Sequence, residues 1–203
     1  VSHIPSNCHV HLSSVALAPL VLIEALCRRA DKGDVKGLKF HHFHTEGPAP
    51  YSEPRYENIF TEQGFFVGPN VRPNVNAGYA DYVPVHLGES GFLYRNGAIK
   101  LGAALVQVSC PDSEGRVSLG TSVDCTLAAI ETADVVIAVM NKNVPFAYGD
   151  LVSLDQIDYV VEHDAPLITK SFAAPTELEI QIGRKCAELV DDGACIQMGI
   201  GGL

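Results

Sequence analysis

Residues 102–109 (GAALVQVS) and 134–141 (DVVIAVMN) are apolar at consecutive positions rather than at alternate ones. A strand carries such a run only where both of its faces are covered. Between them, residues 122–133 (SVDCTLAAIETA) supply a helix long enough to cross from one strand to the other. A β-α-β unit of this kind makes its strands parallel, and a parallel sheet needs helices on both faces. The expected class is therefore α/β, a mostly parallel sheet with flanking helices.

The rest of the chain fits that frame. Residues 8–13 (CHVHLS) read as a first strand. Pro19 suits the opening of a helix whose apolar face is Leu20, Ile23, Leu26, Cys27 and Ala30, at three- and four-residue steps. Arg28 and Arg29 oppose the negative end of its dipole, and Gly33 stops it. Residues 37–44 (GLKFHHFH) read as a second strand. Residues 45–72, rich in Pro, Gly, Asn and aromatics, predict a long ligand-facing loop with a short helix over 54–61. Its Pro48, Pro50, Tyr51, Asn70 and Arg72 are expected to line a site. Residues 79–87 predict strand or turn, and 156–164 another strand. A helix is expected over 176–193, with Thr176 as cap, Glu179 as its capping-box partner and a stripe of Leu178, Ile182, Cys186 and Leu189. Residues 194–199 (ACIQMG) then read as a strand running into a glycine-rich end.

Composition removes several function classes. With 203 residues, 47% of them hydrophobic, the chain can bury one domain or two small ones. A net charge of −10 disfavours broad contact with a phosphate backbone, so no nucleic-acid partner is expected. No apolar run approaches the roughly 18 to 20 residues of a membrane span. The start (VSHIPSNCHVHL) has neither a basic n-region nor a cleavable apolar core, and no initiator Met, so the chain is expected to begin inside a longer polypeptide. Six cysteines without a C-x-x-C pair, most of them in apolar segments, read as reduced thiols of a cytoplasmic or mitochondrial-matrix protein.

Several residues could carry chemistry. His9 and His11, and His42 and His44, are each two apart on expected strands, so each pair faces one way. Four imidazoles could hold a metal. With no matching Cys or carboxylate spacing, they read instead as sheet histidines bonded to neighbouring loops, and no metal is expected. Cys110 closes a buried strand, but Pro111 follows and no local base would activate it. Glu46, Asp81, Glu89, Asp112, Asp124 and Asp150 sit in polar loops without a partner at diagnostic spacing. The end, Gly199-Ile200-Gly201-Gly202-Leu203, is not a dinucleotide fingerprint, because the third glycine falls at the wrong step. Placed after a strand, its backbone N–H groups could converge on an anion or a developing oxyanion.

Five blocks in register resemble the N-terminal half of the acetyl-CoA hydrolase/transferase family. They are HFHTEGPAPY (42–51), FFVGPNVRPNVNAGYADYVPVHLGE (65–89), ALVQVSCPDSEGRVSLGTSVD (104–124), VIAVMNKNVPFAYGD (136–150) and LVDDGACIQMGIGGL (189–203). The family includes acetate, succinate, butyrate and 4-hydroxybutyrate CoA-transferases. The resemblance implies the first of two similar domains, spanning 1–203, with the active site between it and a C-terminal catalytic domain beyond this chain. It implies coenzyme A or acyl-CoA and small carboxylates as substrates, no metal, and a homo-oligomer. A glutamate of the second domain would attack the thioester and pass through a mixed anhydride to a glutamyl-CoA thioester. The family's loop at this point contributes to the CoA site, so Gly199, Ile200, Gly201, Gly202 and Leu203 are the expected CoA-binding residues. Ile200 is the expected oxyanion-hole N–H. One departure is PFAYGD (145–150), which stands where the family more often has Pro-Arg-Thr-x-Gly-Asp. Two other readings are a single-domain sugar-phosphate isomerase or deaminase, with Asp81 and Glu89 as its acid and base, and a non-catalytic CoA-binding or dimerisation module.

Overall fold

The computed structural model describes residues 1–169, 173–197 and 199. It divides into two units, Val1–Ile168 and Thr169–Leu203.

In the first unit the chain runs β1 (His9–Leu12), α1 (Leu20–Asp31), β2 (Leu38–His41), β3 (Phe60–Gly64), α2 (Arg72–Ala77), β4 (Asp81–Tyr82) and α3 (Ser90–Arg95). It continues through β5 (Leu101–Val108), β6 (Arg116–Ser118), α4 (Thr126–Thr132), β7 (Val136–Met140), β8 (Leu151–Ser153) and β9 (Tyr159–Glu162). Seven strands form one sheet in the order β4-β3-β2-β1-β5-β7-β9, while β6 and β8 make a separate antiparallel ribbon. Each pairing in the large sheet is parallel. The class expected from the two apolar runs is the class observed.

Each face of the sheet has its own core. On one, Val10, Leu12, Phe40 and Leu105 pack with Ile23 and Leu26 of α1. On the other, Ala104, Val106 and Ala138 pack with Tyr94 of α3 and Ala129 of α4. All eight residues of β5 are buried, as its unbroken apolar run requires. A fully buried side chain such as Leu105 contributes about 2 kcal/mol, and its truncation to alanine costs about 3 kcal/mol once the cavity is counted.

Helix α1 begins after Pro19, buries Ile23, Leu26, Cys27 and Ala30, and is followed by Gly33 at φ 75°, as its sequence predicts. The segment 45–72 differs from expectation. It holds short 3-10 turns at Pro50–Ser52 and Pro54–Tyr56, and then a true strand, β3, in place of a continuous loop with a helix. The inward positions of β3 are Phe60, Glu62 and Gly64, so its alternation is invisible to a hydrophobicity reading. Tyr51, expected on a ligand-facing surface, is 2% exposed and packs against Phe40. In the second unit, α5 (Glu177–Ala187) is closed by the Thr176–Glu179 capping box. It ends six residues short of expectation, and residues 194–197 form no strand.

Candidate active site

The strand order shows where this sheet can bind a ligand. From β1 the chain builds outward through β2, β3 and β4, then returns to β5 on the other side of β1 and continues to β7 and β9. In open parallel sheets, ligands enter outside the carboxyl ends of the strands where the winding reverses. Here that point lies between β1 and β5. Ser13, Ser14 and Val15 leave β1 there, and Ser109 and Cys110 leave β5.

Hydrogen bonds fix this backbone from several elements. The Ser13 N–H donates to the Leu105 carbonyl at 3.0 Å, and Ser13 Oγ accepts from the Gln107 N–H at 3.3 Å. Ser14 Oγ accepts the Phe43 N–H at 3.1 Å, while the Ser14 N–H donates to Ser122 Oγ at 3.0 Å. The end of β1 is thereby tied to the segment after β2 and to the loop before α4.

Val15 is the strained residue of this loop. Its φ is 54°; among the described residues only Asn7 and Asn58 are other non-glycine residues with positive φ. Asparagine tolerates that region, whereas a β-branched side chain there is a genuine outlier. Such strain persists where surrounding structure over-determines it, and it concentrates at functional sites. The Val15 N–H donates to the His44 carbonyl at 2.7 Å, the Val15 carbonyl accepts from Glu46 N–H at 3.3 Å, and Val15 bridges in parallel with Thr45.

Beside this loop is a cleft of about 250 Å³, with Ala16, Ala18, Ala165 and Ile168 among its apolar walls and Gln107 and His163 among its polar ones. Apolar walls with a few convergent polar groups are the usual make-up of a small-molecule site. His163 also borders a more open hollow with Cys110, Met140, Lys142 and Asp164. There Lys142 Nζ pairs with Asp164 Oδ2 at 2.7 Å. Cys110 stands exposed on that rim, and among the described residues no hydrogen bond reaches its thiol.

The histidines do not assemble as four facing imidazoles, because β2 ends at His41 and both His42 and His44 lie beyond it. His9 Nδ1 lies 2.7 Å from His41 Nε2. His11 is fully buried, its ring nitrogens each 3.2 Å from Tyr94 OH and Thr126 Oγ1. His42 Nε2 is 3.0 Å from Tyr51 OH and 3.5 Å from Glu62 Oε1, and His44 pairs with Glu46 at 3.4 Å. Burial holds His41 and His42 down to about 3 and pushes Glu62 up to about 8.

One group could be asked about a metal: ligand atoms of His11, Asp124 and Cys125 lie within 4.8 Å of one another. Asp124 Oδ1 already accepts from the N–H groups of Cys125 and Thr126, where α4 begins, and from Thr126 Oγ1. Burial raises the Cys125 thiol far above its ordinary range, against the thiolate that a metal requires.

The loop expected to bind CoA is reached by the described residues only at Gly199, which is exposed. Ile200, Gly201, Gly202 and Leu203 lie outside them. Asp81 accepts a hydrogen bond from Gln63 on the surface, and Glu89 is exposed in a 3-10 turn. Val15, Gln107, His163 and Glu62 carry no sequence signal that singles them out. Among the described residues no helix is long and apolar enough to cross a membrane.

Known proteins bear on this geometry. The model of the acetyl-CoA hydrolase/transferase N-terminal domain matches residues 1–169. The 4-hydroxybutyrate coenzyme A transferase of Clostridium kluyveri is 36% identical, over 100% of this chain and 47% of the relative. The succinyl-CoA:acetate/propanoyl-CoA:succinate CoA transferase of Fasciola hepatica is 36% identical, over 96% of this chain and 41% of the relative. Among solved structures, RipA from Yersinia pestis superposes with a TM-score of 0.88 at 27% identity, covering 98% of this chain and 49% of that one. The 4-hydroxybutyrate CoA-transferase of Porphyromonas gingivalis gives 0.79 at 31% identity, covering 98% and 46%. The chain thus spans just under half the length of these relatives. It belongs to the acetyl-CoA hydrolase/transferase family and corresponds to the N-terminal part of its members.

Proposed function

We propose that this chain supplies the N-terminal part of a CoA-transferase or acyl-CoA hydrolase, which moves CoA between small carboxylic acids. The reaction passes through a glutamyl-CoA thioester on a residue beyond Leu203. Family membership carries this reading, and the crevice at the reversal of strand order supports it, with the over-determined Val15 loop on one side and Gln107 on the other. A cleft of about 250 Å³ beside that loop has room for a short acyl chain.

In this reading residues 1–203 form the first of two similar domains, and the C-terminal domain and a second copy of the protein are its partners. The backbone of Gly199, Ile200, Gly201, Gly202 and Leu203 approaches CoA. The Ile200 N–H meets the oxyanion that develops when the carboxylate attacks the thioester. A preorganised donor of that kind is worth about 3 kcal/mol in the transition state. The covalent step divides one difficult acyl exchange into easier ones, and no metal takes part.

The test uses the complete polypeptide that contains this chain. Incubation with acetyl-CoA followed by borohydride should inactivate it and convert one glutamate beyond Leu203 into the reduced alcohol. Ile200→Val should leave turnover nearly unchanged, while Gly201→Val should abolish it with the melting temperature retained. Acetyl transfer by residues 1–203 alone, or reduction at a glutamate within them, would overturn the assignment.

A further inference from the structure

Glu62 has no part in that reaction, yet it is a carboxyl group only 5% exposed on β3. Its Oε1 lies 3.5 Å from His42 Nε2, and its Oε2 has no hydrogen-bond partner. Buried polar atoms without partners are rare and call for a reason. From His42 a run of buried polar groups leads outward. His42 Nε2 is 3.0 Å from Tyr51 OH, and Tyr51 OH is 3.1 Å from Thr45 Oγ1. Asn70 Nδ2 donates to the Thr45 carbonyl at 2.9 Å and to Thr45 Oγ1 at 3.2 Å. His42, Tyr51 and Thr45 are each at most 2% exposed. Thr45 is the bridge partner of Val15, and the neighbouring His44 and Glu46 hold the Val15 N–H and carbonyl.

We propose that Glu62 is a positioning residue. Through His42, Tyr51 and Thr45 it fixes the backbone that keeps Val15 in its left-handed conformation at the mouth of the sheet. The arrangement depends on an uncharged Glu62. We assign the His42 proton to Nε2, where the Tyr51 oxygen at 3.0 Å and the Glu62 carboxyl at 3.5 Å are its two candidate acceptors. Against a neutral acid the Tyr51 oxygen holds that hydrogen; a carboxylate draws it away, because charge-assisted hydrogen bonds are the stronger ones. The first link then opens, and the loop that over-determines Val15 loosens.

The ionisable surroundings agree with an uncharged resting state. His42 faces Glu62 from the segment just after β2, and Tyr51 from the first 3-10 turn. Glu53, Tyr56, Glu57 and Tyr79 share with it a slot of about 20 Å³. That volume holds about one water, which can satisfy Oε2 and carry the proton to solvent. No group in this set is a lysine or arginine that would hold a carboxylate there. Burial pushes Glu62 up to about 8, so the device operates just above neutral pH.

This inference stands apart from the CoA chemistry, and its test needs no substrate. Amide exchange of Val15, expressed as a protection factor so that intrinsic base catalysis cancels, is followed from pH 6.5 to 9.5 in the wild-type chain and in Glu62→Gln. Protection in the wild type should fall about tenfold with the midpoint of the Glu62 carboxyl carbon resonance, and should stay level in Glu62→Gln, which cannot ionise. Equal pH profiles in the two proteins would overturn the proposal. Should Glu62→Gln fail to fold, the wild type alone decides. Coincident midpoints for the carboxyl resonance and Val15 protection support the proposal, and separate midpoints, or flat protection while Glu62 titrates, refute it.

Discussion

Val15 gives its backbone N–H to the His44 carbonyl at 2.7 Å while its own φ is 54°. A valine pays conformational strain of about 1 to 3 kcal/mol in that region. Two hydrogen bonds and a β-bridge to the neighbouring segment offset it. Glycine has no such strain. At an unstrained position, removing a half-buried valine side chain in favour of glycine costs about 2 kcal/mol. Val15→Gly should therefore be close to neutral, within about 1 kcal/mol, by urea denaturation. A loss above about 2 kcal/mol would mean that the native loop stores no strain.

Acid should destabilise the fold before ordinary carboxylates titrate. Burial lowers His11 to about 4 and His41 and His42 to about 3, so all three are neutral in the folded chain at pH 6. Unfolded, they titrate near 6.5 and take up protons. Their stabilising contribution is present above 6.5 and is lost as pH falls towards those lower values. Glu62 acts in the opposite sense: its contribution is present below about 4.5 and is lost as pH rises towards about 8. Between pH 5 and 6 unfolding thus takes up about three protons on histidine and releases about one from Glu62. The net of about two corresponds to a slope of about 3 kcal/mol per pH unit, stability rising with pH. Urea midpoints between pH 5 and 6 check the slope; a flat profile would show that these imidazoles accept protons in the folded state.

What could be read from sequence follows from where hydrophobicity and structure coincide. Strand β5 was legible because both of its faces are covered and every position is buried. Helix α1 was legible through its three- and four-residue apolar steps, and α5 through its capping box. Strand β3 was not, since its inward positions include Glu62 and Gly64, whose burial depends on His42 and Tyr51 coming from elsewhere in the chain. The Val15 conformation contradicts local propensity altogether and exists through contacts 29 to 31 residues away, at His44 and Glu46. The reversal of strand order is likewise a property of pairing, which no local pattern encodes. The terminal glycines were the most visible motif in the sequence, but only Gly199 of that loop is among the described residues.

Asp124 is expected to anchor the backbone at the start of α4 and not to act as a metal ligand. Its Oδ1 accepts from Cys125 N–H at 2.6 Å and from Thr126 N–H at 3.1 Å. Asp124→Ala should cost about 1 to 3 kcal/mol through the hydrogen bonds it removes, and Asp124→Asn should recover most of it. A large excess of zinc should leave the melting temperature of the wild type unchanged. A zinc-dependent rise in melting temperature that disappears in Asp124→Ala would instead assign the His11–Asp124–Cys125 group to a cation.

Gly120 tests how tightly the segment before α4 is held against the loop after β7. Its φ is 56°, and a Cβ built there would lie 2.6 Å from Val144 Cγ1 and 3.2 Å from Leu17 Cδ1. Leu17 belongs to the loop that carries Val15, and Val144 immediately precedes the PFAYGD stretch, so three segments near the mouth of the sheet converge on a position without a side chain. Alanine meets two penalties at once: the left-handed backbone, about 1 kcal/mol for a non-glycine residue, and an overlap that buried neighbours can relieve only by moving, about 1 to 3 kcal/mol. Gly120→Ala should thus lose about 2 to 4 kcal/mol by chemical denaturation. The double variant Gly120→Ala with Val144→Ala removes the nearer overlap and should recover part of that loss, leaving the backbone term. If the double variant is no more stable than the sum of the two single losses predicts, the contact between Gly120 and Val144 is not what limits the position.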